Sequence, residues 1–143
     1  MKVKIKKLHP NAGLPRYAKQ GDAGMDLTAV TAKKVDSFYI KYEFGLALEI
    51  PEGFVGLVFP RSSCYKQDQI LTNCVGVIDS GYRGEVSAVF AGGMRNKYQV
   101  GDRVAQLIIM PVPYVDFEEV EELSKTDRGE GGYGSTGKEG HLC

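Results

Sequence analysis

The sequence predicts an all-β fold, a sandwich or barrel with at most one short helix, and three observations predict it. The chain has 143 residues, room for one domain with a real core and little for a second. Short β-rich runs follow one another with Gly, Pro, Asn and Asp between them, the spacing of a sandwich or barrel. No stretch carries a long, well-capped 3.6-residue period.

In chain order, Lys2-Val3-Lys4-Ile5-Lys6 alternates with period two and predicts a half-exposed strand whose lysines discourage edge pairing. Further strands are predicted at residues 26–30, 38–50, 54–59, 76–78, 84–90, 98–99, 104–112 and 114–120. Ser62-Ser63-Cys64-Tyr65 reads as a helical turn capped by serine. Residues 118–125 are a possible short helix, with a Phe117/Val120/Leu123 stripe too short to insist on. After Ser124 the composition changes: residues 128–137 hold five glycines and one aromatic, which predicts a flexible arm over 125–143 behind a β-domain over 1–124.

Composition narrows the chemistry. Eighteen Lys and Arg balance eighteen Asp and Glu, so bulk charge gives no reason to expect nucleic acid as a partner. The charged N-terminus and the lack of a long apolar run argue against a leader or a membrane span, so a cytoplasmic protein is expected. Cys64, Cys74 and Cys143 form no Cys-x-x-Cys pair and read as free thiols. His9 and His141 lack partners at metal-ligand spacing. Chemistry is left to carboxylates, arginines, backbone amides and a metal held by oxygen.

Five segments fit that description. Ala23-Gly24-Met25-Asp26-Leu27 sets a carboxylate at the start of a strand, as a turn residue or a functional one. Pro60-Arg61-Ser62-Ser63 joins a guanidinium, two hydroxyls and turn amides in a candidate anion nest. Asn73 to Glu85 reads as a hairpin with Asp79 at its bend. In residues 101–108, Gln106 is the polar residue in an apolar run and needs a partner. The glycine-rich arm nearly spells a phosphate loop at Gly132 to Glu139. Glu139 replaces the metal-binding hydroxyl, and the five residues after Lys138 are too few for the required helix. Arg128, Tyr133, two hydroxyls and many amides fit a lid over a ligand with a phosphate and a flat base.

In this order, the segments 23–27, 60–63, 76–85, 101–108 and 128–137 closely resemble the five motifs of the homotrimeric dUTP pyrophosphatases (dUTPases). The resemblance implies a jelly-roll-like β-barrel, a homotrimer with active sites shared between subunits, and Mg2+-assisted hydrolysis of dUTP to dUMP and pyrophosphate. It implies that Asp79 activates the water that attacks the α-phosphorus and that Tyr82 packs on the sugar. Asn73 and the backbone of Gly76, Val77 and Ile78 are expected to read uracil. Asp26 is expected to hold Mg2+ through water, and Arg61, Ser62, Ser63 and Gln106 to serve the phosphate chain. Arg128, Ser135, Thr136 and Gly137 are expected at the γ-phosphate and Tyr133 over the base, with Gly134 beside them as a substrate-binding residue. The sharpest rival, the dCTP deaminases and their bifunctional relatives, shares the fold, an Arg-Ser-Ser motif and an Ile-Asp-x-Gly hairpin, but requires a glutamate ten residues beyond the hairpin aspartate, and this chain has Val89 there. A non-catalytic dUTP-sensing module is the other alternative.

Overall fold

The computed structural model describes residues 1–133. Nine strands are defined among them: β1 (Lys4–Lys7), β2 (Met25–Thr28), β3 (Thr31–Lys34), β4 (Tyr39–Glu49), β5 (Phe54–Pro60), β6 (Gln69–Leu71), β7 (Gly76–Ile78), β8 (Glu85–Gly92) and β9 (Arg103–Pro111). A 3₁₀ helix, Ser62–Gln67, follows β5. One sheet runs β1-β4-β8-β6, with β3 also on β4; the other runs β2-β9-β5-β7. All pairings between these strands are antiparallel. The all-β, jelly-roll-like expectation holds, although the two sheets are not closed into a barrel.

The longest strand explains the core. In β4, the stretch from Tyr42 to Leu48 is buried throughout, as expected for a strand with neighbours on both edges and layers over it. Its register against β8 shifts between Glu43 and Ala47 around Gly45. Gly45 has φ 66°, and a Cβ there would lie 2.7 Å from His9 Cβ, so the bulge requires glycine. One apolar cluster then draws Tyr42, Phe44 and Phe90 from one sheet and Leu27, Val58, Val104 and Leu107 from the other. Tyr42, Phe90 and Tyr98 meet edge-on at centroid distances of 5.8 to 6.0 Å, the arrangement that aromatic quadrupoles favour.

Several expected elements differ. Residues 98–99 form no strand; Tyr98 sits buried in the β8–β9 loop, where its N–H donates to Gln69 Oε1 at 3.0 Å. Residues 114–120 form no strand and 118–125 no helix, because no element packs against their apolar side chains. The 3₁₀ helix has Arg61 at its N-cap position and no side-chain cap, so serine does not cap it. The segment around Asp79 is not a hairpin: β7 pairs with β5 in one sheet, and β8 with β4 and β6 in the other. The chain crosses between layers there. No helix among the described residues is long and apolar enough to cross a membrane.

Candidate active site

Three of the five segments converge because they lie on three neighbouring strands. Asp26 on β2 stands opposite Gln106 on β9, and Gln106 opposite Phe59 on β5, just before Pro60 and Arg61. Arg61 Nε donates to Asp26 Oδ1 at 2.7 Å, and its Nη1 reaches Ser63 Oγ at 3.4 Å and the Arg103 carbonyl at 3.5 Å. Gln106 Nε2 donates to the Pro60 carbonyl at 3.0 Å, which answers its need for a partner. Its side chain lies against Gly24, where a Cβ would collide with the amide, so glycine at 24 gives Gln106 its place. Ser62 is exposed beside this cluster.

Asp26 has a second cation that the sequence reading passed over. Arg103 Nη1 donates to Asp26 Oδ2 at 2.9 Å, so each carboxylate oxygen holds one guanidinium. Arg103 begins β9 opposite Thr28, inside the segment where Gln106 alone was singled out. The available signal was its place three positions before Gln106 and the antiparallel partnership of β2 and β9.

The other half of the site is built where β6, β7 and β8 adjoin. Asn73 follows β6 in a loop fixed by Thr72, whose N–H and Oγ1 both donate to the Val89 carbonyl at 3.0 Å. A cavity of about 170 Å³ is lined by Val58, Thr72, Asn73, Gly76, Ser87 and Val89 among others. Val77 is exposed and Ile78 buried. Asp79 is exposed at the crossing between the layers, and the Tyr82 N–H closes a turn onto its carbonyl at 3.0 Å. Tyr82 Oη donates to the Glu85 carbonyl at 3.2 Å, which fixes the ring over the turn. Arg83 Nη1 braces the same turn through the Ser80 carbonyl at 2.6 Å and the Tyr82 carbonyl at 3.0 Å.

Within one chain Asp79 stands away from the Arg61 cluster. Ile78 pairs with Gly56 near the beginning of β5, whereas Arg61 follows its end. The six steps from Val55, which lines a cavity with Asp79, to Arg61 span about 20 Å of extended backbone. Of the arm, Arg128 Nε donates to the Gly131 carbonyl at 3.0 Å, and Tyr133 is fully exposed with φ 47°. Gly134, Ser135, Thr136 and Gly137 lie outside the described residues. Among the described residues no group of three or more His, Cys, Asp or Glu side chains gathers as a metal site.

A family model described as dUTPase matches residues 10–137. The deoxyuridine 5'-triphosphate nucleotidohydrolase of Corynebacterium glutamicum is 43% identical over 141 residues, covering 95% of each chain. That of Alkaliphilus metalliredigens is 40% identical over 139 residues, covering 94% of this chain and 96% of its own. Among solved structures, a Staphylococcus bacteriophage 80alpha dUTPase variant with dUpNHpp superposes with a TM-score of 0.80 at 26% identity, covering 96% of this chain and 99% of that one. A phage phi11 dUTPase variant, 22% identical with a TM-score of 0.75 over 87% of this chain and 100% of its own, is described with a structural Mg(II) ion. With five motifs in order, an all-β frame that gathers three of them at one sheet end, and relatives matched over nearly their whole length, the chain belongs to the dUTPase family of hydrolases acting on deoxyuridine 5'-triphosphate.

Proposed function

We propose that the chain converts dUTP and water to dUMP and pyrophosphate at a site shared between copies of itself, with Asp79 as the general base. The supporting observation is the separation of Asp79 from the Asp26–Arg61–Gln106 cluster along β5. A site shared between copies brings Asp79 of one copy to the phosphate cluster of another, so that the base and the phosphate ligands meet on one nucleotide. The arm, residues 125–143 behind a 1–124 core, then belongs to a third copy of a homotrimer. A cytoplasmic setting suits such a trimer, and neither nucleic acid nor membrane is a partner. The activity limits uracil in DNA and supplies dUMP.

Phosphoryl chemistry asks the protein chiefly to position and to neutralise charge. Asp79 holds a water in line with the α-phosphorus and accepts its proton as the P–O bond to the β-phosphate breaks and pyrophosphate departs. Tyr82 lies on the sugar face and leaves no room for a 2′-hydroxyl. Asn73 and the backbone of Gly76, Val77 and Ile78 read the uracil edge. Arg61, Ser62, Ser63 and Gln106 hold the phosphate chain. Arg128, Ser135, Thr136 and Gly137 close on the γ-phosphate, with Tyr133 over the base and Gly134 among the substrate-binding residues.

Mg2+ would neutralise the phosphates and orient them. A lone carboxylate already bonded to two guanidiniums fits an outer-shell role through water better than a direct cage, and a hard oxygen donor suits this ion. Base selectivity follows from the same pocket. Losing methyl contact alone is worth only about 1–3 kcal/mol, so rejecting thymine needs a collision, whereas cytosine leaves buried hydrogen-bonding groups mismatched. Val89 lines the cavity beside Asn73 and cannot shuttle a proton, which disfavours deamination. The test is a panel of dUTP, dTTP, dCTP and UTP with Mg2+, assayed for pyrophosphate and ammonia. Selective pyrophosphate release from dUTP is expected; an intact dUTP, equal consumption of all four, or ammonia from dCTP overturns the proposal.

A further inference from the structure

Asp26 is bonded by more cation than a simple ion pair needs. Arg61 satisfies Oδ1 through Nε at 2.7 Å, and Arg103 satisfies Oδ2 through Nη1 at 2.9 Å. An Asp26–Arg61 pair alone is neutral. With Arg103 the cluster carries one net positive charge at the end of the sheet where β2, β9 and β5 adjoin.

The donors left over are as informative as those in use. Arg61 spends Nε and Nη1 on Asp26, Ser63 and the Arg103 carbonyl, and among the described residues its Nη2 has no hydrogen-bond partner. Arg103 spends only Nη1; its Nε and Nη2 have no partner among the described residues, and its side chain is 55% exposed. A second, exposed arginine on an already paired carboxylate adds little to stability. Two guanidiniums held by one carboxylate, with outward N–H groups to spare, instead form a fork for an oxyanion.

We propose that Arg103 is a binding residue for the phosphate chain, the cation that turns the Asp26–Arg61 pair into a net-positive receptor for the β- and γ-phosphates. This rests on assigning the cluster to the phosphate end of the nucleotide. A phosphate chain stays anionic with one divalent cation bound, so a neutral receptor would lose both the contact and the long-range attraction that steers the ligand in.

The test compares binding of dUpNHpp and of dUMP to the full-length wild type, Arg103→Gln and Arg103→Lys by calorimetry at several salt concentrations, with melting temperatures alongside. Arg103→Gln should weaken dUpNHpp about tenfold, as expected for one charged hydrogen bond. It should leave dUMP, which lacks the two outer phosphates, unchanged, and make dUpNHpp affinity less sensitive to salt. Lysine should restore much of the loss and the salt sensitivity. Unchanged dUpNHpp affinity in Arg103→Gln, or parallel loss of both ligands with a lowered melting temperature, overturns the proposal. A wild type that binds neither ligand refutes the nucleotide assignment itself, an outcome distinct from either.

Discussion

Asp79 and Arg61 flank opposite ends of one strand: Asp79 follows Ile78, the partner of Gly56 near the start of β5, and Arg61 follows Pro60 at its end. Complementation tests what this separation implies. Asp79→Asn and Arg61→Gln proteins should each be nearly inactive, yet the two, unfolded together and refolded as a mixture, should regain turnover, because some sites then pair an intact Asp79 with an intact Arg61 from different chains. Pyrophosphate release from the mixture, against each variant refolded alone, is the measurement. A mixture no more active than its parts places both residues in one chain's site.

Asp79→Asn removes the proposed base while keeping the shape of the turn, whose hydrogen bond uses the Asp79 carbonyl rather than its carboxylate. Turnover should fall at least about 10²-fold with an unchanged melting temperature. Near-normal kcat would take Asp79 out of that role.

Gly24→Ala should act through Gln106. The new methyl meets the Gln106 amide and drives it from the Pro60 carbonyl, so KM for dUTP should rise about tenfold, the scale of one lost polar contact to a charged group. Steady-state kinetics on the variant decide the matter, and an unaltered KM means that Gln106 does not serve the phosphates.

Removing the chain from Arg128 onward should cut turnover by about 10²-fold or more, comparable to losing preorganised oxyanion donors. The thermal transition should stay put, since residues 112–133 contribute no strand or helix. Unchanged turnover would end the lid proposal.

Acid stability should depend on Glu43. This buried carboxylate accepts from Lys33 Nζ at 2.7 Å, from Thr31 Oγ1 at 2.7 Å and from Lys41 Nζ at 3.2 Å. The Lys33 and Thr31 hydrogen bonds lead in lowering its pKa from 4.5 to about 2. A lowered folded-state pKa stabilises the fold above the ordinary carboxylate range and loses that contribution as pH falls through the folded value. Denaturant midpoints should therefore drop between about pH 5 and pH 2 in the wild type, and less steeply in Glu43→Gln.

The sequence made the buried strands legible because their signal is local. The apolar runs of β4, β5 and β9 mark themselves, and the alternation in Lys4–Lys7 gave away β1. β3, Thr-Ala-Lys-Lys, was hidden by its exposed lysines, and β6 is only three residues long. The mistaken hairpin at Asp79 had a non-local cause: each flanking run reads as a strand, but partner choice was settled by β5 on one side and by β4 and β6 on the other. Likewise the motifs named Asp26, Arg61 and Gln106 without their distances, and left Arg103 unremarked until the register of β2 against β9 brought it to Asp26.

The turn from Asp79 to Gly84 is moored at one end in each layer of the sandwich. A loop tethered in this way cannot peel off with either sheet alone. Its carboxylate keeps its position until the two layers part, so heat inactivation and global melting should share a single midpoint, with no cooler step in which catalysis fails and the domain survives.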